Sequence, residues 1–243
     1  MAGHSKWHNI QARKGKQDAQ RGKIFTKLGR EIYVAVKQGG ADPQTNSTLQ
    51  AVIAKAKANN MPNDTIKNAI KKASGANNTE NFEQITYEGY GISGTAIIVE
   101  AMTDNKNRTA SEVRHLFSKH GGNLGVTGCV SYMFDKKGVI VLSKESTKLE
   151  EEELFEKILE NDGDIEDIKS FEEIYEILTD VKEFSKILNI LESLNLEVLE
   201  ANIEQVPQNT VSLDDAQQEK LEKLINALED LDDVQNVFHN AEI

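Results

Sequence analysis

The residues of this chain that are best suited to binding chemistry are the cations of its first thirty positions. Eight side chains there are basic, and only Asp18 is acidic. The same stretch contains Trp7, two histidines and several side-chain amides. Because cations bind phosphates and aromatic rings stack on bases, this composition predicts contact with nucleic acid. The basic side chains are Lys6, Arg13, Lys14, Lys16, Arg21, Lys23, Lys27 and Arg30.

Charge is divided unequally along the 243 residues. Residues 1–75 hold 14 Lys and Arg against 4 Asp and Glu, whereas residues 76–243 hold 14 against 36. The net charge is therefore −12, although the front of the chain is basic. Such asymmetry favours a polyanionic partner for the basic part and solubility for the acidic part. The alternative interpretation is that the cations form an ordinary solvated helix face.

Other kinds of chemistry have weak support in the sequence. Motifs of phosphate-binding loops, serine hydrolases and zinc sites are absent. His115 and His120, with Asp104 and Cys129 nearby, could be imagined as a metal or acid–base site. Five residues is a poor spacing for one helix face, however, and a lone cysteine is usually a small core residue. We therefore expect no enzyme, no catalytic residue, no metal site and no cofactor.

Hydrophobic spacing predicts three helices in the first third of the chain. Apolar residues recur at three and four over residues 21–38, with Lys23, Lys27 and Arg30 on the opposite side. Further helices are predicted over 47–58 and 63–73, and the third exposes Lys67 and Lys71 one turn apart. A helix-turn-helix fits this pattern but is not specified by it. Residues 1–20 lack helical spacing and are expected to be a flexible arm.

From residue 82 onward, short strands alternate with short helices. Strands are predicted at 85–87, 95–101, 130–134, 139–142, 165–168, 174–178, 198–206 and 234–239. Helices are predicted at 109–119, 151–160, 184–194 and 214–228. The fold class is therefore α+β, with an N-terminal three-helix domain followed by two small α/β sandwiches of the split βαβ type.

A second basic group lies between a predicted strand and helix of the acidic part. Lys106, Arg108 and Arg114 surround a helix start that Thr109 or a neighbouring Asn could cap. Helix amides together with cations suit a phosphate, which predicts a second nucleic-acid contact. The alternative is a well-capped turn whose charges are solvated.

Several motifs resemble those of the YebC family, and the resemblance covers nearly the whole chain. They include Gly3-His4-Ser5-Lys6-Trp7, Arg21-Gly22-Lys23-Ile24-Phe25, Tyr87-Glu88-Gly89-Tyr90-Gly91, His120-Gly121-Gly122-Asn123-Leu124-Gly125 and Val206-Pro207-Gln208-Asn209-Thr210. The bacterial members are described as probable transcriptional regulatory proteins, and a mitochondrial relative is the translational activator of cytochrome c oxidase.

Family resemblance also favours one domain inserted in another over a sequential arrangement, which the pattern alone does not distinguish. The last predicted helix and strand have no sheet of their own, so we expect them to join the first sandwich. The expected domains are a flexible basic arm at 1–20, a helical domain at 21–76, an α+β domain made of 77–133 and 207–243, and an inserted α+β domain at 134–206.

Two functions follow from the resemblance. The first is a DNA-binding transcriptional regulator. The second is a ribosome-associated translation factor that binds RNA and relieves stalling at proline-rich sequences. A basic arm with Trp7 suits an RNA crevice, and no dimer element is evident that would match a palindrome. We predict a nucleic-acid-binding regulator of gene expression, a cytoplasmic monomer whose partner is duplex DNA or ribosomal RNA, with no membrane and no small-molecule substrate.

Overall fold

A computed structural model describes residues 17–75 and 81–242, with side chains from Arg21 onward. The chain divides into two compact units. Of the described residues, the first unit comprises 17–75, 81–131 and Asp214–His239, and the second comprises Tyr132–Leu213 with residues 240–242. None of the described helices combines the length and the apolarity that crossing a membrane requires.

Helices and strands alternate through most of the described chain. In order they are α1 (Gln17–Gly39), α2 (Ser47–Ala58), α3 (Asn63–Ser74), β1 (Glu83–Tyr90), β2 (Ala96–Thr103), α4 (Lys106–Lys119), β3 (Asn123–Leu124), β4 (Phe134–Ser143), α5 (Lys144–Thr147), α6 (Glu151–Glu160), β5 (Asp167–Ser170), β6 (Ile174–Thr179), α7 (Phe184–Ser193), β7 (Val198–Pro207), β8 (Val211–Ser212), α8 (Asp215–Glu229), β9 (Val234–His239) and β10 (Ala241–Glu242).

The first three helices bury one apolar cluster. Leu28 and Ile32 of α1 pack in it with Leu49 of α2 and Ile66 of α3. Asn46 organises the turn between α1 and α2, because its buried side chain accepts the Leu49 N–H at 3.0 Å and donates to the Ala35 carbonyl at 2.8 Å. The amide thus caps α2 and ties it to α1 at the same time.

Within the first unit, a four-stranded antiparallel sheet follows the helices. Its strand order is β3-β1-β2-β9, so the strand near the C-terminus completes the sheet begun by residues 83–103. Helices α4 and α8 supply Val113, Phe117 and Leu221 as fully buried side chains. Strand β9 pairs with β2 although more than 130 positions separate the paired residues along the chain.

The second unit contains an antiparallel sheet in the order β5-β6-β4-β7. Helices α6 and α7 pack on one face of it, where Ile140, Leu142 and Ile177 meet Leu154 and Ile187. Strands β8 and β10 form a separate parallel pair within the same unit. The predicted α+β class is confirmed, whereas the predicted domain boundaries stay a prediction.

Three local predictions are wrong. Helix α1 begins at Gln17 rather than residue 21, so the last four residues of the predicted arm are helical. The strand predicted at 130–134 is a 3₁₀ turn at Ser131–Met133, and β4 begins only at Phe134. Helix α4 begins at Lys106 rather than residue 109, and the nearby Asn105, one of the two kinds of cap predicted, accepts the Arg108 N–H at 3.1 Å.

Substitution of Gly89 tests the packing between β1 and β3. A Cβ atom there would lie 2.6 Å from the Asn123 carbonyl oxygen and 2.8 Å from the Phe117 ring. Because the first neighbour is backbone, Gly89→Ala is expected to lower the free energy of unfolding by about 1–3 kcal/mol, measured by urea denaturation. Gly29→Ala in α1 is the control, since nothing lies within 4 Å of its added Cβ. A loss at Gly89 no larger than that at Gly29 would contradict the prediction.

Candidate nucleic-acid interface

The predicted contact residues fall into two groups. Lys6, Trp7, Arg13, Lys14 and Lys16 lie outside the described residues. The others lie in the first unit, on α1 (Arg21, Lys23, Lys27 and Arg30), α3 (Lys67 and Lys71) and α4 (Lys106, Arg108 and Arg114). The structure separates this second group by what each side chain contacts.

Arg21, Lys67 and Lys71 have exposed side chains. The Arg21 guanidinium lies 5.8 Å from the centre of the Phe25 ring, one turn further along α1. Ile66 and Ala73 of α3 face the core, which directs Lys67 and Lys71 outward. Within residues 17–75 and 81–242, no carboxylate forms an ion pair with either lysine. These cations can therefore meet a phosphate without first breaking an internal ion pair.

Lys23 and Lys27 instead contact the end of α8. The Lys23 Nζ atom donates to Asp230 Oδ1 at 2.8 Å, and the Lys27 Nζ atom donates to the Glu229 carbonyl oxygen at 2.9 Å. The last carbonyls of a helix lack partners within the helix and carry partial negative charge, so cations stabilise them. The two lysines are half-buried and hold α1 against α8, which differs from the exposed face that their spacing predicts.

Arg30 continues this contact at a buried position. Its Nη1 atom lies 2.8 Å from Asp233 Oδ1 and donates to the Asp232 carbonyl oxygen. The guanidinium also lies 5.3 Å from the centre of the Phe82 ring. Only 14% of the Arg30 side chain and 4% of the Asp233 side chain are exposed. Removing either partner of a charge pair buried to this degree would leave the other charge buried and unpaired, which strongly destabilises the folded protein.

Asp233 connects three segments of the first unit. Its Oδ2 atom accepts from Arg108 Nη2 at 2.7 Å, Thr109 Oγ1 at 2.6 Å and Thr103 Oγ1 at 3.1 Å. Burial by itself would raise the pKa of Asp233, but Thr109, Arg108, Arg30 and Thr103 outweigh burial, and the pKa lies below its ordinary value. The carboxylate is therefore the anionic centre of a network that joins α1, β2 and α4 to the α8–β9 turn.

Two cations of the second predicted basic group form internal ion pairs, and one of them, Arg108, belongs to the Asp233 network. Arg108 also pairs with Asp104 at 2.9 Å, and its hydrogen bonds to Asp233 and Asp104 raise the pKa of the guanidinium. Lys106 pairs with Glu83 at 2.5 Å. Arg114 is exposed, and no ion pair involves it in the part of the chain that the structure describes. A phosphate at this place would have to compete with internal carboxylates for Lys106 and Arg108.

Sequence reasoning did not identify Asp233 or the acidic turn around it. The only signal for this turn is Asp230-Leu231-Asp232-Asp233, a run of carboxylates directly after a predicted helix. Two of these carboxylates pair with Lys23 and Arg30 of α1. More than 190 residues separate the two segments along the chain. Only the fold brings them together.

A second buried carboxylate, Glu88, holds the loop that joins β3 to β4. It is 4% exposed and accepts the backbone N–H groups of Gly128 at 2.7 Å, Val130 at 2.9 Å and Ser131 at 2.8 Å. Burial by itself would raise the pKa of Glu88, but these three donors outweigh it, and the pKa lies below its ordinary value. The loop is thereby fixed while the side chain of Val126 at its tip stays 76% exposed.

Glu88→Gln is expected to destabilise the protein and to change how its stability depends on pH. A neutral amide accepts these N–H groups less strongly, so we expect a loss of about 1–3 kcal/mol in the free energy of unfolding. Because the folded pKa of Glu88 is depressed, its contribution is present above the unfolded value of 4.5 and is lost as pH falls through the folded pKa. Urea denaturation at pH 7 and below pH 4.5 measures both effects. A destabilisation that stays the same at both pH values would contradict this role for the charge.

The other titratable candidates give little support to catalysis. Burial lowers the pKa of His120, and the nearby Lys119 and Lys223 charges lower it further. Burial and the Glu88 charge raise the pKa of Cys129, which disfavours a reactive thiolate. Among residues 17–75 and 81–242, no group of three or more His, Cys, Asp and Glu is arranged to hold a metal ion.

Comparison with known proteins covers the chain almost from end to end. Residues 5–76 match the family model of the TACO1/YebC protein N-terminal domain, and residues 82–241 match that of the TACO1/YebC second and third domain. A probable transcriptional regulatory protein of Acetivibrio thermocellus is 59% identical over 241 residues, which is 99% of this chain and 98% of that one. A protein of the same description from Clostridium botulinum is 55% identical over 242 residues, covering 100% of this chain and 97% of that one.

A solved structure agrees with the fold as well as with the sequence. The crystal structure of a conserved hypothetical protein, Aq1575, from Aquifex aeolicus superposes with a TM-score of 0.83 at 48% identity. The match covers 94% of this chain and 93% of that chain. With two family models that together span most of the sequence, these similarities show that the chain belongs to the TACO1/YebC family.

Proposed function

We propose that this protein is a nucleic-acid-binding regulator of gene expression that acts on duplex DNA. The observation that carries the proposal is that Arg21, Lys67 and Lys71 are exposed on the helical part. Residues 1–16, which precede this part in the sequence, are also rich in Lys and Arg. The description of relatives as probable transcriptional regulatory proteins supports the choice of DNA.

Two groups of cations have different roles in this proposal. The exposed cations of the helical part, together with the cations of residues 1–16, bind phosphates and release counterions, so affinity depends steeply on salt. The engaged cations Lys23, Lys27 and Arg30 keep α1 oriented against α8 and make no direct contact with the nucleic acid. With α1 held in place, the exposed cations of the helical part keep a fixed arrangement. The negative charge of residues 76–243 is repelled by the phosphate backbone, which favours binding through the basic part.

A translation factor that binds ribosomal RNA is the second candidate function. The observation that favours it is Trp7, a large aromatic side chain within a basic segment. Aromatic rings stack on the unpaired bases of single-stranded RNA. In a duplex the bases are already stacked on one another, and only their edges are accessible in the grooves.

Competition binding distinguishes the two functions. The full-length protein is mixed with ribosomes at about 0.15 M salt, and duplex DNA of genomic or scrambled sequence is added as competitor. If the protein regulates transcription, one DNA sequence displaces it from ribosomes and the scrambled duplex does not. Retention on ribosomes against excess DNA would instead establish RNA as the target. Absence of salt-dependent binding to either partner would refute both functions.

A further inference from the structure

Helix α6 has apolar side chains outside the stripe that it buries. Leu154 and Ile158 are fully buried and pack on the sheet of the second unit. Phe155 and Leu159, which lie one turn apart on the same helix, are 42% and 48% exposed. A surface helix normally has one apolar stripe and an opposite polar face. Exposed apolar surface with a polar rim is typical of interaction sites.

An open groove of about 390 Å³ lies beside this part of α6. Phe155 of α6 and Ile168 of β5 supply its apolar lining, and Glu152, Glu156 and Asp167 supply carboxylates. We call it the α6–β5 groove and define it by these five residues. All of them belong to the second unit.

The charge of the α6–β5 groove restricts its occupant. In the part of the chain that the structure describes, no ion pair involves Glu152, Glu156 or Asp167. Carboxylates around an apolar floor attract a cation that also carries apolar groups, and they repel phosphates. Charge complementarity therefore favours a basic peptide segment with a few apolar side chains, and it disfavours nucleic acid.

Strand β5 offers backbone groups to the same occupant. It lies at the edge of the sheet and, among the described strands, pairs with β6 only. The outer side of an edge strand presents N–H and C=O groups that have no strand partner. An extended peptide can add to such an edge through main-chain hydrogen bonds, while neighbouring pockets select its side chains.

We propose that the α6–β5 groove binds an extended basic segment of a partner protein. The segment adds to β5 as a further strand, places apolar side chains over Phe155 and Ile168, and pairs Lys or Arg with Glu152, Glu156 and Asp167. This docking does not rest on the proposed binding of nucleic acid. It gives the acidic part of the chain a role of its own, which is to hold a protein partner.

A labelled heptapeptide, acetyl-Lys-Lys-Leu-Lys-Leu-Lys-Lys-amide, is the probe for the full-length protein. Fluorescence anisotropy at about 0.05 M salt measures its affinity, since low ionic strength screens surface charges least. We expect Glu152→Gln with Glu156→Gln to weaken binding about fivefold or more. Replacing both leucines of the peptide by serine should weaken its binding to the wild-type protein about tenfold or more, because the apolar contact is lost. This second comparison does not depend on the folding of any variant.

Hydrogen exchange locates the peptide on the wild-type protein. Strand addition covers the outer edge of β5, so the backbone amides of residues 167–170 should exchange more slowly when the peptide is bound. The amides of β7, the strand at the opposite edge of the sheet, should exchange at an unchanged rate. Unchanged exchange in β5 would overturn the proposal.

The control variant carries Glu192→Gln and Glu197→Gln, which remove the same charge from exposed positions of the second unit that do not line the groove. Its affinity for the peptide should equal that of the wild type. Equal weakening in the two variants, or equal affinity for the leucine and serine peptides, would overturn the proposal. Self-association of the protein that Phe155→Ser abolishes would overturn the choice of a partner protein and assign the groove to a second copy.

Discussion

Asp233→Ala is expected to lower the free energy of unfolding by about 3–5 kcal/mol, since it leaves a buried guanidinium without its carboxylate. Arg30 would lose its partner at 2.8 Å, and Arg108, Thr103 and Thr109 would lose the oxygen to which they donate. Urea denaturation followed by circular dichroism measures the change. The effect should be large because three segments of the first unit meet at this single side chain.

Asp230→Ala is the matched control for this result. Its carboxylate also pairs with a cation of α1, Lys23, but 62% of the Asp230 side chain is exposed. Solvent screens exposed pairs, so this change should lower the free energy of unfolding by less than about 1 kcal/mol. Equal losses for the two variants would contradict the role assigned to Asp233, which is buried and accepts hydrogen bonds from Thr103, Arg108 and Thr109 besides its pair with Arg30.

Neutralising the cations of the first sixteen residues is expected to have the largest effect on nucleic-acid binding. Lys6, Arg13, Lys14 and Lys16 replaced together by Gln should weaken binding at least about 100-fold and reduce the slope of log affinity against log salt by about 3–4. Circular dichroism and the melting temperature should stay unchanged, because Lys and Arg side chains are rarely part of a hydrophobic core. Fluorescence anisotropy with a labelled duplex at several salt concentrations measures affinity and slope together.

A control for net charge uses four exposed lysines of the acidic part, Lys136, Lys148, Lys182 and Lys220, also replaced by Gln. If position matters, this variant keeps the wild-type salt slope and most of the affinity. If both variants lose affinity equally, binding reflects overall charge alone and the predicted interface is wrong.

Substitution of Lys23 or Lys27 is a poor test of nucleic-acid binding, although both lysines lie in the basic part of the sequence. Both contact the end of α8 in the folded protein. Their substitution therefore changes the packing of α1 as well as the charge of the surface. Lys67→Gln and Lys71→Gln probe the helical surface more cleanly, because both side chains are exposed.

Sequence pattern determined the elements whose cause is local. Residues 47–58 form α2 as predicted, since Asn46 caps its start and Asn60 adopts a positive φ of 57° just beyond its end. The apolar periodicity of residues 151–160 and 234–239 likewise predicted α6 and β9 with their correct bounds. Helix starts were less accurate where a side-chain cap decided them, as Asn105 does for α4.

The sequence by itself determined the α+β class, the family motifs and the separation of basic from acidic segments, because each depends on local residue types and spacing. The tertiary structure decided which cations remain available. Arg30 and Arg108 have the charge of phosphate-binding residues, yet both face Asp233, more than 120 positions away. Glu88 is one carboxylate among many in the sequence and becomes a structural anchor only when the backbone of residues 128–131 turns three N–H groups toward it. Spacing along the chain cannot reveal such pairs, because burial and proximity arise only when distant segments pack together.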